Sequence, residues 1–259
     1  MHRKKVLALC AHPDDAEFRC GGTLILLAQH GWEVHIATVS VGDCGSAELS
    51  PEVIASIRLR EAETAVAKVG GKYHSLGGKD LQIYDDNPTR AAAVVLIREI
   101  APDLVITHYP VDYMPDHTAT SAIARTAVFT APIKNYMVGP AADVRPSGKG
   151  VVPLYYFAPL EGTDWFGNPV HSEFYVDISS VIDKKAEMLG CHESQREWLR
   201  RQHGVDQYIE TMKSWDAQAG KIAGVSYAEG FTMHRGHAYP QMPILQEALS
   251  DIIIMPTSE

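Results

Sequence analysis

Short apolar runs alternate with longer stretches whose apolar positions recur at helical spacing through the first 160 residues or so. The runs at 6–10, 34–40, 104–108 and 154–158 read as buried strands, with a weaker one at 73–76. Helices fall between them. The first, 24–30, closes at Gly31; the second, 51–69, closes at Gly70-Gly71; the third, 89–100, is stopped by Pro102; the fourth covers 118–129. Glycine just past a helix and proline soon after it are the usual stop signals. Strand and helix in alternation predict βα units and a parallel sheet. Right-handed crossovers then give a Rossmann-like, doubly wound order, in which neighbouring first and fourth strands place their carboxyl ends on the two sides of a switch-point crevice.

After residue 160 the pattern changes. A Gly/Asn/Pro-containing loop at 161–169 leads to an alternating strand at 173–178, helices at 179–191 and 194–220, and a tail, 227–259, that reads as short and irregular. No internal repeat, low-complexity tract or long Pro/Gly/Ser linker divides the chain. One α/β domain over 1–259 is expected, with 161–259 a mixed, mostly helical completion of the 1–160 part.

Composition narrows the function. The 46% hydrophobic content is ample for a core, and 32 acids against 23 bases leave a formal charge of -9 with no Lys/Arg block. Nucleic acid and anionic membranes are poor partners for such a chain; a small molecule fits better. No run is long enough to span a bilayer, and the basic start is followed by too short an apolar run for a signal peptide. Cys10, Cys20, Cys44 and Cys191 show no Cys-x-x-Cys or framework spacing, as expected of reduced thiols in a cytoplasmic protein.

The chemistry gathers in two loops. Ala11-His12-Pro13-Asp14-Asp15 follows the first strand, placing an imidazole and two carboxylates at a strand's carboxyl end. Pro13 stiffens the turn so that His12 and Asp15 point the same way and Asp14 elsewhere, although proline and acids also simply begin helices. The loop after the fourth strand, from His108 to His117, lands beside it, and His117 completes a set of three ligands with His12 and Asp15. Three protein ligands with water in the fourth position is the usual catalytic zinc arrangement. Asp14 is then the base for that water. Asp116 reads equally as a helix cap and His108 as a satisfied strand-end histidine.

These motifs resemble the zinc-dependent de-N-acetylases related to the LmbE and PIG-L proteins. The resemblance extends to Pro115-Asp116-His117, Arg58-x-x-Glu61, the segment from Lys185 to Ser194-Gln195, and Ala228-Glu229-Gly230-Phe231. It implies that His12, Asp15 and His117 bind Zn2+ or another divalent ion, that Asp14 is the general base, and that Arg58 holds an N-acetylated amino sugar whose N-acyl group is hydrolysed. An amidase cleaving a thiol conjugate, or a metal-binding protein with impaired catalysis, is the alternative. One departure matters: the family commonly has a histidine three residues before the last ligand, and Met114 stands there. A thioether neither donates to an oxyanion nor protonates an amine. Tyr113, His108, His234 and His237 are the replacements to consider, with His237 favoured because Gly236 and Pro240 bracket it in a turn. Asp112 and Tyr113 are further substrate contacts. Asp43 fits either sugar hydroxyls or a Gly-Asp turn, Trp165 either a sugar ring or a subunit contact in a homo-oligomer, and Arg58 also fits a simple pair with Glu61.

Overall fold

The structure is a computed structural model that describes residues 3–137, 139, 144–196 and 207–256. Its centre is an eight-stranded sheet in the order β3-β2-β1-β4-β5-β7-β6-β8. The strands are β1 Lys5–Cys10, β2 Glu33–Ser40, β3 Lys72–Gly78, β4 Leu104–Thr107, β5 Leu154–Phe157, β6 Phe174–Asp177, β7 Ala228–Met233 and β8 Ile253–Ile254. The first five pair in parallel, and β7, β6 and β8 extend the sheet antiparallel. β1 and β4 are neighbours, so the mostly parallel, doubly wound expectation holds.

The pleat divides the core. Val6, Ala8 and Cys10 of β1 face one layer, Leu7 and Leu9 the other. Against the first pack α1 (Asp15–Gln29), α2 (Pro51–Ala67), α5 (Ile182–Leu189), α6 (Gln207–Ala223) and α7 (Ile244–Ala248); against the second pack α3 (Asn87–Ile100) and α4 (Pro115–Thr130). No helix among the described residues is long and apolar enough to cross a membrane.

Two expectations are corrected. The tail is not irregular: β7 lies inside the sheet between β5 and β6. Ala228-Glu229-Gly230-Phe231 lacks the β-branched residues that announce a strand, and its pairing partners on β5 and β6 lie more than 50 positions away in sequence. The first helix also begins nine residues earlier than its apolar run, at Asp15 rather than Leu24. Of the helix expected over 194–220, residues 197–206 lie outside the described residues; α6 accounts for the part from Gln207.

α1 is kinked. Cys20 has φ -139° and ψ 15°, which splits off a first turn, Asp15–Arg19, from the apolar helix behind it. The kink exposes backbone N–H groups that a straight helix would satisfy. Glu229 of β7 takes them: its carboxylate accepts from Gly22 N and Thr23 N, each at 2.8 Å, and from Thr23 Oγ1 at 2.6 Å. Gly22 is required here, because a Cβ would lie 2.7 Å from Ile178 Cγ2. Lys185 balances the buried charge, with Nζ 2.8 Å from Glu229 and 2.6 Å from Asp216. Lys185 is fully buried and Glu229 nearly so. Removing one member of such a group strands the other charges. Glu229→Ala is therefore expected to lower the unfolding free energy by about 3–5 kcal/mol, measured by urea titration, with Glu229→Gln losing less because its amide oxygen still accepts.

Candidate active site

β1 and β4 end side by side, and the loops beyond them are stitched together: Ala11 N donates to His108 Nε2 at 3.0 Å, and Thr107 Oγ1 to Leu9 O at 2.7 Å. Between the loops opens a cavity of about 570 Å³ lined by His12, Asp14, Asp15, Arg58, Asp80 and His117 among others.

Asp15 is the hub. Its carboxylate lies 3.4 Å from His12 Nδ1, 3.2 Å from His108 Nε2 and 3.4 Å from His117 Nε2, and it accepts from His12 N at 2.7 Å. Ligand atoms of His12, Asp15 and His117 all lie within 4.8 Å of one another. Each imidazole has its other nitrogen held by a carboxylate: His12 Nε2 by Asp116 Oδ2 at 3.0 Å, His117 Nδ1 by Asp112 Oδ1 at 2.8 Å. This carboxylate–histidine arrangement is what orients metal-ligating imidazoles. The donor set therefore fits a divalent cation of the zinc type. Two other acid-containing groups come as close, His108-Asp112-His117 and Asp43-Cys44-Asp80. In these groups His108 Nε2 is engaged by Ala11 N, Asp112 by His117 Nδ1, Asp80 by Ser40 Oγ and Cys44 N, and Asp43 by Asp80 N.

The electrostatics favour positive charge at this point. Burial opposes protonating His12, yet hydrogen bonds to Asp116 and Asp15 outweigh it and raise its pKa to about 10. His117 follows the same balance, burial against Asp15 and Asp112, and rises to about 9. For His108 burial wins, with the neighbouring His117 adding to it, and the pKa falls to about 4. Accepting from Ala11 N at Nε2 places its ring proton on Nδ1, which has no hydrogen-bond partner among the described residues.

Asp14 faces the other way. Its backbone, φ 102° and ψ -25°, lies in the left-handed region that non-glycine residues rarely enter, a strain typical of functional turns. Tyr208 of α6 donates its hydroxyl to Asp14 Oδ2, and Arg58 Nη2 lies 3.4 Å from the same oxygen. Burial lifts the Asp14 pKa above the ordinary carboxylate value against the pull of Arg58, whereas Asp15, pulled by His117 and His108 against burial, lies well below it. The neighbouring carboxylates are thus driven apart.

The other expected residues sort as follows. Arg58 does not pair with Glu61. It is 4% exposed, donates to Pro13 O at 2.6 Å, and locks the turn that carries Asp14. Gly42, at φ 77°, makes room, since a Cβ there would lie 2.7 Å from Arg58 Cδ. Glu61 instead accepts from Ser194 N and Oγ at 2.8 and 2.6 Å. Asp112 is buried and lines the cavity, and its carboxylate is engaged by His117 Nδ1. Asp116 orients His12 and makes no cap to its own helix. Tyr113 does line the cavity, 61% exposed. Asp43 holds Asp80 N at 2.8 Å, the turn reading, and does not line the cavity. Trp165 and His237 are exposed and also lie outside the lining. His237 belongs to a segment anchored elsewhere, by Tyr156 Oη to His234 Nδ1 at 2.8 Å and Tyr239 Oη to Arg125 O at 2.8 Å, so this chain does not fold it over its own crevice. Two site residues escape the sequence reading. Asp80 follows β3 and could have been found only by examining every loop at the strands' carboxyl ends; Tyr208 carries no local signal at all.

A family model described as PIG-L, GlcNAc-PI de-N-acetylase, matches residues 7–128. The chain is 28% identical over 241 residues to diacetylchitobiose deacetylase of Thermococcus kodakarensis, covering 88% of this chain and 82% of that one. It is 24% identical over 242 residues to 4-oxalmesaconate hydratase of Pseudomonas putida, covering 90% and 88%. In structure it is similar to N,N'-diacetylchitobiose deacetylase from Pyrococcus horikoshii, with a TM-score of 0.75 at 24% identity over 93% of this chain and 88% of the other. The match runs from β1 through most of α4 and so takes in both loops of the site; over this part the chain is similar to the PIG-L family.

Proposed function

We propose that the protein is a metal-dependent hydrolase that removes an N-acetyl group from an amino sugar or its conjugate. The observation that carries this reading is the convergence of His12, Asp15 and His117 within 4.8 Å, beside Asp14 on the wall of one cavity. The family is metal-dependent, and relatives are deacetylases of N-acetylated sugars. A bound zinc, or another divalent ion on these three ligands, supplies Lewis acidity toward the carbonyl and lowers the pKa of water toward about 7.

The protein's own groups manage the proton. Asp14 takes it from water as the oxygen attacks the amide carbon, then returns it to the nitrogen as the C–N bond breaks, leaving acetic acid, which ionises in solution, and a free amine. Arg58 and the Tyr208 hydroxyl hold Asp14 in place for both transfers. Asp116 and Asp112 keep the two imidazoles in a single tautomer and orientation. Met114 contributes no donor, which leaves Asp14 as the source of the proton for the amine.

That absence also favours a second reading. The Pseudomonas relative is a hydratase by name, and adding water across a carbon–carbon double bond has no amine to release. Amine release from N-acetylated amino sugars, against loss of ultraviolet absorbance from a conjugated enoic acid, separates the two.

Asp14→Asn is expected to retain metal and lose about 10²- to 10⁴-fold in rate, the usual contribution of a positioned base, whereas His117→Ala loses the metal itself; metal analysis beside initial rates checks both. Tyr208→Phe keeps the ring and removes one hydrogen bond to a carboxylate, so kcat should fall by about tenfold at unchanged metal content. An unaltered kcat would show that Tyr208 only packs.

A further inference from the structure

Arg19 follows Asp15 by one helical turn, so it shares the face of α1 that looks into the cavity. Its guanidinium is fixed from one side. Nε and Nη2 donate to Ala158 O at 3.2 and 2.6 Å, and Nη2 also to Pro159 O at 2.9 Å, just past β5. Nη1 makes no hydrogen bond among the described residues, and no described carboxylate lies within 4.0 Å of the group. The acids whose fields reach it are committed elsewhere: Asp216 and Glu229 to Lys185, and Asp112 to His117. Trp215 lies beneath it, 6.0 Å from ring centroid to guanidinium carbon, and Phe18 stands 5.4 Å from Trp215.

The contrast with Arg58 is informative. Both arginines line the cavity, but Arg58 faces Asp14, whereas Arg19 has two carbonyl oxygens, an aromatic face and no counter-ion among the described residues. A partly buried cation without an acid is costly unless something neutralises it. Resting on the deacetylase reading above, we propose that Arg19 is a specificity-determining residue that binds a carboxylate on the substituent attached to the acetylated amino sugar. The geometry suits one charge-assisted hydrogen bond from Nη1, with Phe18 and Trp215 excluding water around it. A single negative charge is favoured over a phosphate dianion, because Asp14, Asp15, Asp80 and Asp112 already line the same cavity.

The test compares the methyl and carboxymethyl glycosides of N-acetylglucosamine, which differ by one carboxylate, with the metal-loaded protein and its Arg19→Gln and Arg19→Lys variants. The unmodified protein should prefer the carboxymethyl glycoside by about ten- to a hundred-fold in kcat/KM, expressed in KM. Arg19→Gln retains donors for Ala158 O without the charge and should bring the ratio near one; Arg19→Lys should keep part of the preference. Equal losses on both glycosides in Arg19→Gln would make Arg19 a latch for the end of β5 and overturn the proposal, as would a ratio near one in the unmodified protein. Calorimetric binding of the corresponding glucosamine glycosides reads the same preference without turnover. Anionic preference in binding, abolished in Arg19→Gln, upholds the role of Arg19 even if no amide is cleaved, an outcome that overturns the deacetylase reading alone; absence of that preference overturns the role of Arg19.

Discussion

The site depends on a buried carboxylate far from it in sequence. Glu229, inside the sheet on β7, accepts the N–H groups that the kink at Cys20 leaves open, and Lys185, shared with Asp216, balances its charge. Without the kink the first turn of α1 would continue the axis of the apolar helix behind it. With it, Asp14, Asp15 and Arg19 are freed from that axis and turned toward the ends of β1 and β4. An unpaired Glu at this depth would be prohibitive, so the helix ends, the lysine and the second acid form one unit.

Around Asp15 the same logic of compensation serves chemistry. Three imidazoles surround one carboxylate, and two of them are backed by further acids, so the cluster carries more negative than positive charge unless protons or a cation are added. One residue earlier, the strained backbone of Asp14 presents its carboxylate to Tyr208 and Arg58 instead. A single peptide unit thus separates a carboxylate kept ionised from one whose pKa is raised. Opposed environments of this kind are how adjacent acids take different roles.

Met114 changes what the cavity can offer. His108 is neutral and occupied by the backbone at Nε2, His234 is tied to Tyr156, and His237 is exposed and outside the lining. Tyr113 lines the cavity with His108, its ring edge-on to His117 at 5.6 Å. Tyr208, from the opposite wall, adds a hydroxyl held on Asp14.

The alternation of apolar runs and helical stretches determined the parallel half of the sheet, the adjacency of β1 and β4, and the meeting of His12, Asp15 and His117, because local hydrophobic pattern and crossover handedness leave few arrangements of βα units. Arg58 was legible as a member of the site, but not its service to Pro13 and Asp14. Only the tertiary structure decided the rest. β7 carries no strand signal, since its glycine and buried glutamate are explained by Ser172 and Lys185, residues remote in the chain. Tyr208 meets Asp14 across 194 positions, Asp112 and Asp116 turn from presumed contacts and caps into supports for imidazoles, and Arg19 acquires meaning from two carbonyls past β5. Each of these depends on long-range pairing of polar groups, which has no period along the sequence and so leaves no mark there.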